Sequence, residues 1–294
     1  MRNLVLIHGR SQQKKDPETL KQEWVEALHD GLSKAGRNET IPDDKIRFPY
    51  YGDTLFPLSK DPNTEAPDVI IKGSEPDSLE QTFVTDFLRE VVEQLGELGI
   101  STDAIPAASD DPDIIQRDVQ NWPWVLTLLR VLDEIEGLGS MSLALVTHDV
   151  YRYLDRLGIQ RVIAGGVAKA FHPDKETVVV AHSLGSVIAY KLLSETGKKL
   201  GWRIPTLITV GSPLAVKAVA SKLSPVVWPD CVGSWYNAYD RVDTVSLFPL
   251  MPERFRVTPI ENVIVENSTP NHHGITGYLG HPAVATRILD ALIS

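Results

Sequence analysis

Short apolar runs alternating with stretches of helical spacing organise this chain from its first residues. Leu4-Val5-Leu6-Ile7 is a continuous apolar run, the pattern of a strand buried on both faces. Asp16-Pro17 predicts a helix start, with the aspartate as N-cap and the proline at the first helical position. Leu20, Trp24, Leu28 and Leu32 then recur at helical spacing, and Gly36 supplies a stop. A second strand is expected around Lys45 to Tyr51. The chain therefore opens strand, helix, strand, the order of a parallel sheet.

The pattern loosens in the middle. Residues from Asp53 to about Asp77 are rich in Pro, Asp, Lys and Gly without a period, which predicts a long loop. Ser78 is expected to cap a helix whose apolar positions are Phe83, Phe87, Val91 and Leu95. Ser101 to Asp113 again predicts loop, and Val119 to Ile135 a helix carrying Trp122 and Trp124. Leu143 to Ala170 predicts helix, broken near Gly158 or Gly165-Gly166. A minimal fold would join the flanking strands through one helix, so part of this block, at about 54–145, is expected to be a helical cap inserted over the sheet edge of a single 1–294 domain.

Beyond it the pattern sharpens. Thr177 to Ala181 is an apolar, β-branched strand, followed by an apolar helix from Val187 to about Leu193. Leu207 to Val210, Ser234 to Ala238 and Asn262 to Val265 predict further strands, and Pro282 to Leu292 a final helix. The fold class expected is α/β, with a mostly parallel central sheet flanked by helices.

Composition narrows the function classes. With 39 acidic against 29 basic side chains, a net charge of -10 disfavours a nucleic-acid footprint, which needs a basic face. A single cysteine, Cys231, excludes an intrachain disulfide and a cysteine-cluster metal site. The first apolar run stops at His8-Gly9, too soon for a signal peptide, and no stretch has the length of a membrane span. A cytoplasmic protein without integral membrane association is expected.

The chemistry-bearing segment is Val178-Val179-Val180-Ala181-His182-Ser183-Leu184-Gly185-Ser186. A serine hydroxyl is a poor nucleophile until it has a base, an orienting acid and donors for the developing oxyanion. Small residues two before and two after Ser183 permit a sharp strand-to-helix turn that presents its hydroxyl at the strand's C-terminal end. The helix behind it aims free N–H groups at the reacting centre, and the Leu184 N–H is one expected oxyanion donor.

This segment resembles the α/β-hydrolase superfamily, and more closely its lipase-like bacterial members with an Ala/Gly-His-Ser-Leu-Gly elbow. The resemblance runs from Leu4-Val5-Leu6-Ile7-His8-Gly9 to the histidines near the end and covers the cap least. It implies that Arg10, after the strand ending in His-Gly, gives the second oxyanion N–H. Lipase-like relatives follow the acid with any residue and then Val, with a Pro a few positions on. Asp243-Thr244-Val245 with Phe248-Pro249 meets both conditions and Asp240-Arg241-Val242 the first, so Asp243 is favoured over Asp240. The base comes last in the chain order of this fold. Lipase-like relatives place it just before a small residue, so the resemblance favours His273, standing before Gly274, over His272.

Other residues receive plainer roles. His8 is expected to orient its loop, His182 to pack under the elbow and His281 to cap the last helix. Tyr51 either lines the substrate pocket or packs beside it. Trp122 and Trp124 are expected in core packing ahead of acyl binding, and Ser212 lacks an elbow. Two adjacent histidines without a converging carboxylate cluster make no metal site, and the chemistry calls for no cofactor. The expected function is cleavage of a small-molecule carboxylic ester through an acyl-enzyme on Ser183; the resemblance and the cap suggest an acyl or lipid-like substrate. Thioesterase or acyltransferase chemistry would use the same triad. A different class, a non-catalytic binding or signalling module on a hydrolase scaffold, would require that one of the three positions be lost.

Overall fold

A computed structural model of the chain describes residues 1–9, 16–52, 78–99, 125, 128–129, 131–132 and 140–294. The first apolar run forms β1 (Asn3–Ile7). Helix α1 (Pro17–Lys34) follows, and the Asp16 carboxylate accepts the Thr19 N–H as its N-cap. Strand β2 covers only Ile46–Arg47, shorter than the expected Lys45 to Tyr51. Pairing with β1 ends at Val5 opposite Arg47; two residues on, Pro49 has no N–H to continue the ladder.

Helix α2 (Ser78–Glu97) buries Phe83, Phe87, Val91 and Leu95, the stripe its spacing predicts. Of the helix expected from Val119 to Ile135, the described residues Val125, Leu128, Leu129, Val131 and Leu132 are helical, while Trp122 and Trp124 lie outside the described residues. The helical stretch from Leu143 to Ala170 is two helices, α3 (Ser140–Asp155) and α4 (Leu157–Ala168). The break falls at Arg156, two residues before Gly158, where the backbone is extended (φ -101, ψ 100). Gly158, Gly165 and Gly166 stay helical: a glycine costs about 1 kcal/mol against alanine in a helix, and buried Ile163 and Val167 hold the segment down.

The remaining strands, and the α-helices of five or more residues, are β3 (Thr177–His182), α5 (Leu184–Leu192), β4 (Ile204–Val210), α6 (Lys217–Lys222), β5 (Val232–Tyr239), β6 (Glu261–Ile264), α7 (Ile275–Leu279) and α8 (Pro282–Ile293). The helix expected from Val187 thus starts three residues earlier, immediately after Ser183. His281 caps α8 by accepting the Ala283 N–H.

Six strands form one all-parallel sheet in the order β2-β1-β3-β4-β5-β6. Side chains alternate between its faces, because successive residues of a strand point to opposite sides. Leu4, Leu6, Val178, Val180, Ile208 and Val210 pack with Leu20, Trp24 and Leu28 of α1 and Val284, Ile288 and Leu289 of α8. Val5, Ile7, Val179, Ala181 and Leu207 pack with α5 and with α2, α3 and α4. Each fully buried Leu, Ile or Val stabilises the fold by about 1.5–3 kcal/mol, so both layers are strongly held.

The order of strands places a switch point between β1 and β3. From β1 the chain moves through α1 to β2, on one side; from β3 it moves through α5 to β4, on the other. Right-handed crossovers running in opposite directions put α1 and α5 on opposite faces and leave a crevice beyond the strand ends. Ser183 follows β3 at that crevice. Among the described residues, no helix is long and apolar enough to cross a membrane.

Candidate active site

The turn after β3 is strained and tightly supported. Ser183 has φ 54 and ψ -129, a conformation that L-residues rarely adopt and that costs on the order of 1–3 kcal/mol. Its N–H still donates to the Val210 carbonyl of β4 at 3.2 Å, continuing the sheet. Its carbonyl accepts from the Ser186 N–H at 2.9 Å and from the Ser186 hydroxyl at 2.6 Å. Glycine is required on both sides of the crevice. A Cβ on Gly185 would overlap the carbonyl oxygens of Ile7 and His8, and one on Gly9 would lie 2.9 Å from the Ser183 Cβ.

The fold brings three of the nominated side chains into one line. Ser183 Oγ lies 2.9 Å from His273 Nε2, and His273 Nδ1 lies 2.8 Å from Asp243 Oδ2. A carboxylate only accepts, so Nδ1 carries the proton and Nε2 accepts the serine hydroxyl. All three residues are buried. They come from different strand ends: Ser183 after β3, Asp243 after β5 and His273 after β6.

Asp243 is fully enclosed and held by four donors. Oδ1 accepts the Val245 N–H at 2.9 Å; Oδ2 accepts His273, the Ser246 hydroxyl at 2.8 Å and the Tyr278 hydroxyl at 2.6 Å. Burial alone would push the carboxyl up, but the His273 ring and the hydrogen bonds hold it below the usual carboxylate range. Burial and the Asp243 charge push the Tyr278 hydroxyl well above its usual range, so it remains a donor.

Asp240 and His272 stand apart from that line. The Asp240 carboxylate accepts the Val242 N–H at 2.9 Å and the Asn267 N–H at 2.7 Å, tying the turn after β5 to the turn after β6. His272 Nδ1 donates to the Asn267 carbonyl at 3.0 Å and lies 3.6 Å from Asp240 Oδ2. The backbone of His272 has φ 51, which turns the chain just before His273.

His8 and His182 are buried imidazoles with partners on both sides of the elbow. His8 Nδ1 donates to the Gly9 carbonyl at 2.6 Å, and its Nε2 accepts the Tyr51 N–H at 3.1 Å. Tyr51 stacks on that ring with 3.9 Å between centroids and donates its hydroxyl to the His8 carbonyl. Burial lowers His8 to about 4. His182 packs beneath the elbow and also bonds: its Nε2 lies 2.8 Å from the His273 carbonyl oxygen. Burial, with the neighbouring His273 ring, lowers His182 to about 3, so it is a neutral donor.

Leu184 opens α5, so its N–H has no intrahelical acceptor and lies beside the Ser183 hydroxyl-bearing residue. Arg10 lies outside the described residues. Ser212 Oγ is bonded to Ser186 Oγ at 2.7 Å and accepts the Leu214 N–H, which places it in the support of the elbow. Among the described residues no group of His, Cys, Asp and Glu converges as metal ligands. A cleft of about 510 Å³ between α2 and α6, lined by Leu79, Phe83, Lys217 and Lys222 among others, includes none of Ser183, Asp243 and His273.

Three contacts around these residues escape the sequence reading: Ser246 and Tyr278 on Asp243, and His182 on the His273 backbone. The last has no side-chain signature in the sequence, although a buried imidazole needs hydrogen-bond partners. No family model, no curated protein and no solved structure matches the chain.

Proposed function

We propose that the protein is a serine hydrolase of the α/β-hydrolase type that cleaves carboxylic esters through an acyl-enzyme on Ser183. The observation that carries this reading is the hydrogen-bonded line Ser183–His273–Asp243, 2.9 and 2.8 Å, set on a strained strand-to-helix turn. In the first step the Ser183 oxygen attacks the ester carbonyl carbon while His273 Nε2 takes the hydroxyl proton. Asp243 holds the Nδ1–H tautomer and stabilises the charge gained by the ring. The tetrahedral oxyanion points to the Leu184 N–H, a type of donor worth about 3 kcal/mol in the transition state. The Arg10 N–H is the second donor in this reading. Collapse expels the alcohol, which takes the proton from Nε2, and water then repeats the sequence to release the acid.

The inserted block at about 54–145 is the cap of this reading. Most of it lies outside the described residues; with the family resemblance, it suggests an acyl or lipid-like ester as substrate. The same proton relay would serve a thioester.

The test is labelling with a fluorescent fluorophosphonate, which reacts only with an activated serine. Wild type should label; Ser183→Ala should not, and His273→Ala should label far more slowly. A folded wild type that stays unlabelled and hydrolyses no p-nitrophenyl ester of any chain length would overturn the reading.

A further inference from the structure

We propose that His182 is a positioning residue: through the bond from its Nε2–H to the His273 carbonyl, it sets the distance between His273 and Ser183. The inference rests on the reading of Ser183 as nucleophile and extends it to a residue that touches no reacting atom.

The geometry is specific. His273 follows β6 on an irregular turn, with the next regular element starting at Ile275. Such a turn has no ladder to fix it. Its side chain is held at one end by Asp243 and reaches Ser183 at the other. Its backbone is held by the Asn271 side chain at 3.3 Å, a long contact, and by His182 at 2.8 Å. His182 is the last residue of β3, paired opposite Val210 in the middle of the sheet. The bond therefore references the backbone of the base directly to the strand that presents the nucleophile.

The ring is prepared for this one task. A carbonyl only accepts, so Nε2 must carry the proton. Its neutral state leaves no second positive charge beside His273 when that ring takes a proton; the two ring centroids are 4.8 Å apart. Trp24 meets the ring edge-on, with 6.2 Å between centroids, and Tyr278 lies at 6.1 Å. Tyr278 also bonds Asp243, so acid, base and elbow share one packed cluster.

The experiment compares His182→Gln, whose terminal amide keeps a donor at the reach of Nε2, with His182→Leu, which fills similar space without one. In ester hydrolysis, His182→Leu should lower kcat by about 10–100-fold with KM within about threefold, since a misplacement near 1 Å costs rates of that order. His182→Gln should recover most of the loss. Equal kcat in the two variants, or a loss seen only in KM, would overturn the inference. Should His182→Leu not fold, His182→Asn, whose amide is one bond short, replaces it.

A readout independent of turnover separates this inference from the assignment of Ser183. The far-downfield proton resonance of His273 Nδ1–H, bonded to Asp243, should persist in His182→Gln and broaden or vanish in His182→Leu. Its persistence in both overturns the positioning role even if the enzyme is active. Its loss in His182→Leu alone supports that role even if no fluorophosphonate reacts with Ser183.

Discussion

Asp240 and Asp243 leave the same turn after β5 and end on different partners. The Asp240 carboxylate receives two backbone N–H groups, from Val242 and Asn267, whereas Asp243 receives the His273 ring. A difference of three positions separates a carboxylate that braces two loops from one that faces the His273 ring.

That separation predicts opposite phenotypes for the same chemical change. Asp243→Asn should lower kcat by about 10²–10⁴-fold, because an amide can offer His273 an N–H and favour the wrong tautomer. Asp240→Asn should leave kcat within about threefold and instead lower stability by roughly 1–3 kcal/mol, the usual loss for a buried charge-assisted hydrogen bond. Ester kinetics and denaturant unfolding of the two variants check this; a larger kcat loss in Asp240→Asn would exchange the two roles.

The backbone of Ser183 makes a second prediction. Alanine normally stabilises relative to glycine, but at φ 54 the order should reverse, with Ser183→Gly more stable than Ser183→Ala by about 1 kcal/mol. Both lose the hydroxyl, so the difference isolates the strain. Urea midpoints of the two variants measure it, and an alanine variant equal to or above the glycine one would remove strain from the description of the elbow.

Two buried imidazoles predict acid lability well above the carboxylate range. His8 and His182 are lowered by burial to about 4 and about 3, against 6.5 for an ordinary histidine. The unfolded chain therefore binds more protons than the folded one from pH 6.5 downward. Their contribution is complete above that pH and is lost as the pH falls toward the folded values. By pH 5 the loss is about 2 kcal/mol for each, and Tm should fall by roughly 5–10 °C between pH 7 and pH 5. Asp243, also lowered, enters only below the ordinary carboxylate pKa of 3.8 and adds nothing in this window. In His8→Gln, which cannot titrate, the drop should shrink by about half; a flat Tm in the wild type would contradict the buried neutral state of both rings.

Local signals were read where the deciding partner lies close in sequence. Asp16-Pro17 marks the start of α1 because the cap and the group it caps, Thr19, are three residues apart. The apolar runs of β1, β3 and β4 declare strands because both faces of the sheet are covered. The order Ser, Asp, His drew attention to three residues that the fold brings within hydrogen-bonding distance. What separates Asp240 from Asp243 is the turn after β6, which supplies a partner to each from about thirty residues away. The break at Arg156 lies two residues before Gly158, one of the two places expected; Gly165-Gly166, the other, stays helical because glycine weakens a helix without obliging it to end. The bond from His182 to His273 spans 91 residues and involves a backbone oxygen, which no side-chain pattern reports.

The position of β1 has a consequence for the protein during synthesis. Asn3 registers with Thr177, and the neighbouring Arg2–Glu176 pair spans 174 residues of chain. A ribosome that has just passed residue 170 has released an apolar strand with its inner edge bare, and everything made so far lacks the middle of its sheet. Such edges invite pairing with other chains. The nascent chain must wait for β3, the strand that also delivers Ser183, before its N-terminus is covered. The arrival of the elbow and the end of that exposure are the same event.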